Sequence, residues 1–484
     1  MQRWLAVVAA AVAVVGCGRR DATSVPTSVP GSAPTSVPAA AATSVPTSVP
    51  IGWDEARPIL DAHRSQLPTE LTGVATESAW NGWVAARDRD IRARLDRGDE
   101  DSVVNFWLYG TSFTPLPRAT PGTIARLASR GAAEDLLLAR LDHLVSGLAA
   151  PGRNERLRFA REVVVRHGID PSTPAGQEQA RGYLVSLRER MRDETIRFRR
   201  EAESASRLRD PAAKLSAYAT TYRERGLSSD TSLAADFSLD RAFADAKARG
   251  LVAPGAIRRV AIVGPGLDFT DKTEGFDFYP LQTIQPFAVV DSLARYGLAA
   301  DIVRLTTFDL SPRVNAHLAA AHDRARAGGA YDIQLPLPAD EPSRTWNPDL
   351  VAYWRRFGDR IGSDVAPIAA PPGEAVQVRA VRVRPSAAAA IAPIDLNIVL
   401  ARLTPRDDER FDLIVATNVL VYYGAFEQAL ALANIAAMLR PGGFFVTNYA
   451  VTPRPPIESP AALVTIVEFD RQHNGDTVLW YRRR

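Results

Sequence analysis

Residues 260–269, VAIVGPGLDF, run from an apolar stretch into a Gly-Pro-Gly turn and then meet an acid. Gly264 and Gly266 supply a tight turn and let a ligand approach the backbone closely, as glycines do after the first strand of a doubly wound sheet. A dinucleotide fingerprint would need a third glycine at 269, where the residue is Phe269, and Asp268 puts negative charge where a pyrophosphate would lie. No Gly-Lys-Ser/Thr follows, which excludes a Walker loop. Phosphate binding is therefore disfavoured, and with it a nicotinamide-dependent oxidoreductase. Asp309, in DIVRLTTFDLSPRV, follows an apolar run and precedes Leu-Ser-Pro. It belongs at the carboxyl edge of the sheet, beside the glycine turn, where a carboxylate can accept both hydroxyls of a ribose. Asp309 could instead cap the next helix, but Ser311 can fill that place.

Composition narrows the chemistry. The balance of 58 Lys+Arg against 55 Asp+Glu leaves a net charge of +3, so nucleic acid is not the expected partner. The single cysteine rules out an internal disulfide, a CxxC redox pair and a thiolate zinc cage. The six histidines include no HExxH pair, and no metal is expected. That cysteine ends MQRWLAVVAAAVAVVGC, a basic start and a short apolar run closed by Gly16 and Cys17. The segment resembles a bacterial lipoprotein signal peptide with Cys17 as the lipidated residue, since the run is too short to span a bilayer. A mis-assigned start is the alternative, and it would leave the protein cytoplasmic. Residues 18–50 carry five copies of Thr-Ser-Val-Pro without aromatic residues, which predicts an extended, disordered linker unable to join a ladder or a core. Together these features predict an envelope lipoprotein held to the membrane only through Cys17.

From Ile51 to about residue 235 the pattern is helical. In QARGYLVSLRERMRDETIRFRR, Leu184, Leu187, Met191 and Phe198 fall on one face, with arginines and acids around the rest. The arginines near 152–208 read as a solvated face, and Trp53, Trp80, Trp83 and Trp107 read as packing between helices. After residue 250, VAIVGPG, ADIVRLTTFDLS, FDLIVATNVL and GGFFVTN alternate with helical stretches, which predicts βαβ units and a largely parallel sheet. The end, ALVTIVEFDRQHNGDTVLWYRR, has two β-rich runs around His-Asn-Gly-Asp and predicts a closing hairpin.

The stretch 391–448 carries a family resemblance. FDLIVATNVLVYY, a helix and LRPGGFF resemble the fourth strand, helix and fifth strand of class I S-adenosylmethionine-dependent methyltransferases. Within them the chain is most similar to CheR-type enzymes, which esterify glutamates of chemotaxis receptors: Asn397, the polar gap TPRDDER, FDLIV and Asn418-Val-Leu-Val-Tyr422 match their pattern. The resemblance spans roughly 255–484. It implies an α/β, Rossmann-like domain over 236–484, a mostly parallel seven-stranded sheet with a C-terminal antiparallel hairpin, behind an all-helical domain over 51–235. It further implies S-adenosylmethionine as cofactor. Gly264 and Gly266 would lie against its methionine part, Asp309 would hold the ribose and Asn397 the adenine, while Asn418 and Tyr422 would border the methyl group and the acceptor. Taken alone, Asn418 and Tyr422 read as a strand-end cap and a core aromatic. The family has Glu-Pro-Tyr after the glycine turn, whereas here a long acidic loop intervenes and Gln285-Pro286-Phe287 stands in its place. One of Asp268, Asp271, Glu274 or Asp277 is expected to supply the missing carboxylate.

Methyl transfer is an in-line displacement that needs positioning more than acid–base groups. A carboxylate acceptor is already ionised at neutral pH and needs no base. The expected activity is thus methyl transfer to a small-molecule or protein acceptor, with a carboxylate as one option. The alternative is a membrane-tethered lipoprotein whose methyltransferase-like domain binds without catalysis, because S-adenosylmethionine is made in the cytoplasm and does not cross membranes unaided.

Overall fold

The computed structural model describes residues 48–73, 76–207, 226–228, 233–269, 276–340, 344–458 and 463–484. Cys17 and the linker up to residue 47 lie outside the described residues. The last Thr-Ser-Val-Pro copy departs from the expected free linker: Ser48–Pro50 (β1) pairs antiparallel with Ala401–Leu403 (β8), and Ile51 N–H donates to the Leu400 carbonyl at 2.9 Å. A proline is tolerated there because this two-stranded ladder has open edges.

Six helices follow: α1 (Trp53–Ala62), α2 (Glu77–Tyr109), α3 (Pro121–Ala128), α4 (Ala133–Ala149), α5 (Glu155–Arg166) and α6 (Pro174–Ser206). Asn154 starts α5 by accepting the Arg156 and Leu157 amides at 3.0 and 3.1 Å, a side-chain cap for groups that lack helical partners. The predicted face of α6 is inside, with Leu184, Leu187 and Phe198 buried. Val103, Phe106 and Trp107 of α2, Leu141 and Leu144 of α4 and Val163 of α5 share one core with Leu184 and Leu187. Trp80 and Trp107 are fully enclosed, their indole N–H groups donating to the Ile51 and Leu137 carbonyls at 2.9 and 3.0 Å.

The sheet is built from Ile257–Val263 (β2), Ala299–Asp309 (β3), Ile391–Asp395 (β7), Phe411–Ala416 (β9), Leu439–Thr447 (β10), Ile457–Glu458 (β11), Val464–Glu468 (β12) and Gly475–Arg483 (β13). β7, β3, β2, β9 and β10 run parallel in that order, and β13 adds antiparallel to β10. β11 and β12 both pair with the outer edge of β13, so among the described residues the sheet has eight strands where seven are expected. Helices α7 (Leu233–Ala248), α8 (Gln285–Arg295), α9 (Pro312–Arg326), α10 (Pro348–Arg356), α11 (Pro385–Ala388) and α12 (Ala425–Met438) accompany the strands. Between β3 and β7 the chain makes a separate antiparallel sheet in the order β4 (Tyr331–Pro338), β6 (Val376–Val383), β5 (Gly362–Val365).

From β2 the chain runs to β3 and β7 on one side, then returns to β9 and β10 on the other. The carboxyl ends of β2 and β9 therefore border a switch point, where open α/β sheets leave a crevice for ligands. The helices of the N-terminal half pack directly on this region: Ile59, Trp80 and Trp83 share a core with Ile414, Leu420 and Phe426.

Candidate functional site

The glycine turn stands at the end of β2, with Gly264 N–H donating to the Phe308 carbonyl of β3 at 2.8 Å. Gly264 and Gly266 both have φ of 67°. A Cβ on Gly264 would meet Val419 Cγ2 at 2.8 Å, so both the backbone conformation and the close approach of the β9 loop require glycine there.

Asp309 closes β3 opposite Asp395, the last residue of β7. Its carboxylate accepts the Ser311 amide at 2.8 Å and the Gly266 amide, which ties the glycine turn to the start of α9. Ser311 caps α9 through its own hydroxyl, which accepts the Val314 amide. Burial pushes the Asp309 carboxyl up to about 6, against the lowering effect of the two amides.

Asn397, two residues beyond β7, is buried; its Oδ1 accepts the Val399 amide at 3.2 Å and its Nδ2 donates to Asp88 Oδ1 of α2 at 2.8 Å. Arg92 of α2 forms a two-pronged pair with Asp395 at 2.8 and 3.0 Å. Arg87 of α2 bonds Glu427 of α12 at 2.7 Å. Helix α2 thus lies along the strand ends and the start of α12, held by these polar contacts.

On the other side of the turn, Asn418 follows β9 with φ of 57°, a left-handed conformation that asparagine tolerates better than most residues. Asn448, just after β10, pairs with it in both directions: Asn418 N–H donates to Asn448 Oδ1 at 2.7 Å, and Asn448 Nδ2 donates to Asn418 Oδ1 at 2.8 Å. Asn448 Nδ2 also donates to Asp476 Oδ2 of β13 at 2.9 Å, and burial pushes that carboxyl up to about 6. Asn418 is exposed at the strand end. Tyr422 ends a short turn after it, its carbonyl accepting from both Arg94 Nη atoms at 3.3 Å, with the guanidinium 5.9 Å from the Tyr422 and Tyr423 rings. Tyr423 is buried, and burial raises its phenol.

The acidic loop is wired to the helices. Phe269 does not face the turn; it is buried in the helical core against Phe159 and Phe106, at ring separations of 4.9 and 5.8 Å. Asp268 Oδ2 accepts from the Tyr279 hydroxyl at 2.7 Å and Gln282 Nε2 at 2.8 Å. Asp277 accepts from the Thr111 amide and hydroxyl and the Ser112 amide, at 2.5 to 2.8 Å. Asp271 and Glu274 lie outside the described residues. Arg156, expected on a solvated face, is instead 3% exposed and donates to the carbonyls of Asp268, Phe269, Asp277 and Tyr279. Its flanking acids suggested solvent, but the four carbonyls of the loop supply an enclosed set of acceptors.

The strand ends therefore bring Gly264, Gly266, Asp309 and Asn397 together on the β2–β3–β7 side and Asn418 and Tyr422 on the β9 side. Asn448, Asp476 and the α2 residues were not anticipated. Asn448 and Asn418 are separated by 30 positions, so nothing local links them. Asp88, Arg92 and Arg94 lie on a helix of mixed charge, and their partners are more than 300 positions away, so no local pattern names them.

Because Asp309 and Asp476 have folded-state values above the ordinary carboxylate, the folded chain binds more protons than the unfolded one between about pH 4 and 6. Their burial cost is fully present above pH 6 and relaxes as pH falls. The stability of the wild type relative to Asp476→Asn is expected to improve by about 2 kcal/mol between pH 7.5 and about 4.5. Denaturant unfolding at the two pH values checks this, and a pH-independent difference would contradict it.

No protein-family model matches the chain, and no curated protein matches it. Among solved structures it is similar to the N-methyltransferase NodS from Bradyrhizobium japonicum WM9, at 14% identity over 51% of this chain and 96% of that one, with a TM-score of 0.25. NodS has also been solved with S-adenosyl-L-homocysteine. The chain is likewise similar to the glycopeptide N-methyltransferase MtfA, at 13% identity over 51% of this chain and 70% of that one, with a TM-score of 0.20. It is also similar to an O-methyltransferase family protein from Burkholderia thailandensis, at 11% identity over 85% of this chain and 99% of that one, with a TM-score of 0.22.

Proposed function

We propose that the chain is an S-adenosylmethionine-dependent methyltransferase whose cofactor lies across the switch point between β2 and β9. The observation that carries this reading is the buried Asp309, held by the Ser311 and Gly266 amides at the end of the strand next to the glycine turn. The parallel run β7-β3-β2-β9-β10 closed by antiparallel β13 supports it, as does the match of Asn397, Asn418 and Tyr422 to the CheR-type pattern. The residues also fit the group: Gln285 Oε1, buried next to Thr417 beside the glycine turn, lacks a hydrogen-bond partner. When bound, the cofactor supplies an electrophilic methyl group on a sulfonium.

The chain's own residues bind and orient. Asp309 accepts the ribose hydroxyls, and Asn397 presents its amide to the adenine. Gly264 and Gly266 let the backbone approach the methionine part. Asn418, fixed in a left-handed turn by Asn448, and Tyr422, held through its carbonyl by Arg94, border the acceptor and hold its nucleophile in line. α2 lies along the strand ends, held to Asp395 and Asn397. A carboxylate acceptor fits a site that needs no general base. Cys17 attaches the chain to the envelope in this proposal, and cell fractionation separates that placement from a cytoplasmic one.

Calorimetry of the full chain with S-adenosylhomocysteine is expected to give saturable binding that NAD does not compete away. No binding, or competition by NAD, would reject the reading. A second reading, a domain that binds without catalysis, is favoured by the engagement of Asn397 and Asp395 with Asp88 and Arg92. Binding of the ligand without methyl transfer to any offered acceptor would select it.

A further inference from the structure

The pairing of Asn418 with Asn448 has a direction, although an amide's oxygen and nitrogen fill the same volume. Two groups of fixed character set it. The backbone N–H of Asn418 only donates, so the Asn448 atom it meets at 2.7 Å is Oδ1. At the far end stands Asp476, the second residue of β13 and 6% exposed. Its Oδ1 accepts the Thr477 amide at 2.7 Å, and its Oδ2 lies 2.9 Å from the other terminal atom of Asn448. An ionised carboxylate only accepts, so that atom is Nδ2. Both ends therefore select the same orientation of Asn448. Its Nδ2 spends the second hydrogen on Asn418 Oδ1 at 2.8 Å, which turns the oxygen of Asn418 inward. Asn418 is exposed at the carboxyl end of β9, and among the described residues its Nδ2 makes no hydrogen bond. The group that Asn418 offers outward is a donor.

Asp476 costs stability where it stands. Burial pushes its carboxyl up to about 6, against the lowering effect of Asn448 and the Thr477 amide, and no charged neighbour contributes. The charged groups of the elements around it are engaged elsewhere. On β12, Val467 lies opposite Asp476, and Glu468 pairs with His473 at 2.8 Å on the exposed side. On α7, Asp245 accepts from Thr465 at 2.9 Å and Asp236 lies against Gln285. An asparagine at 476 could not replace the carboxylate: it has one oxygen, while the Thr477 amide and Asn448 Nδ2 each need an acceptor. A buried carboxylate that weakens the fold at neutral pH and fixes the polarity of a site residue is a feature of function and not of stability.

We propose that Asp476 is a positioning residue for methyl transfer: through Asn448 it holds Asn418 with Oδ1 inward and Nδ2 toward the acceptor, so that a hydrogen-bond donor stands beside the methyl position. The proposal rests on the cofactor reading above. Once protonated, Asp476 no longer dictates the orientation of Asn448, and Asn418 is released to turn its oxygen outward.

The test compares two ligands of the full chain by calorimetry. S-Adenosylhomocysteine has no group at the methyl position, whereas sinefungin has an amine-bearing carbon in place of the methylsulfonium. The protonated amine meets a donor in the wild type and an acceptor once Asn418 is released. Asp476→Asn imitates the protonated carboxyl and removes a buried charge. It is expected to shift the ratio of the two affinities toward sinefungin by about tenfold. The wild type should approach the same ratio as pH falls from about 7.5 to about 5, the interval over which Asp476 gains its proton. Asp309 also titrates near 6, but it serves the ribose that both ligands share and leaves the ratio alone. In protein labelled with isotopic asparagine, the Asn418 side-chain amide, identified by its loss in Asn418→Asp, should move with pH in the wild type and stay fixed in Asp476→Asn. A ratio within about twofold of the wild type in the variant, or an Asn418 amide indifferent to pH in the wild type, overturns the proposal. A wild type that binds neither ligand overturns the cofactor reading and this proposal with it, so the two failures are distinct.

Discussion

Asp309→Ala is expected to lower S-adenosylhomocysteine affinity by about a hundredfold or more, an amount equivalent to about 3 kcal/mol. The side chain is 9% exposed and joins three things at one point: the Gly266 amide, the Ser311 amide and, in the proposed complex, two ribose hydroxyls. Hydrogen bonds to a charged acceptor contribute about 1.5–3 kcal/mol each, and truncation also orphans the two amides. Asp309→Asn separates charge from shape, since an amide oxygen can keep one backbone partner but offers the ribose a single acceptor. It should fall between the wild type and alanine. The burial cost of the carboxylate complicates stability but not affinity, so circular dichroism must accompany the titration. An affinity within about threefold of the wild type in the folded Asp309→Ala protein would remove Asp309 from the site.

The second large effect is structural. Arg156→Ala is expected to destabilise the protein by about 3 kcal/mol, because hydrogen bonds from a charged donor contribute about 1.5–3 kcal/mol each and truncation leaves buried carbonyls without their donor. Four carbonyls of the loop after the glycine turn lose their donor at once, and the guanidinium also lies 5.5 Å from the Tyr279 ring. Arg156→Lys should recover little, because an ammonium cannot span acceptors that a planar guanidinium reaches together. Since the same loop begins at Asp268, two residues from Gly266, ligand affinity should decline with stability. Urea unfolding followed by tryptophan fluorescence checks the first part. A loss below about 1 kcal/mol would mean the clamp is dispensable.

The parts of the fold that were legible are those written in local pattern. The glycine turn, the Leu-Ile-Val-Ala run of β9, the Pro-Gly-Gly within β10 and the turn at His473 each follow from a few adjacent residues. The inserted sheet was not legible, because Tyr331–Pro338 alternates weakly and contains two prolines that argue against a strand. The site was legible where residues close a strand, as at Asp309, and opaque where a partner arrives from elsewhere. Asp236 illustrates the limit: an acid on a face shared with Phe237, Leu239 and Phe243 is visible as an oddity, but its neighbour Gln285 lies 49 positions later. Arg156 misleads in the opposite direction, since its charged neighbours describe the outside of α5 while its own side chain turns inward.

The pairing of Ser48–Pro50 with Ala401–Leu403 has a mechanical meaning. Tension on the chain ahead of Ser48 does not enter at a terminus of the helices; it is delivered to the strand that begins four residues after Asn397, with the Ile51–Leu400 bond next in series. If Cys17 anchors the chain as proposed, the anchor and the adenine side of the proposed site form a single load path through β1 and β8.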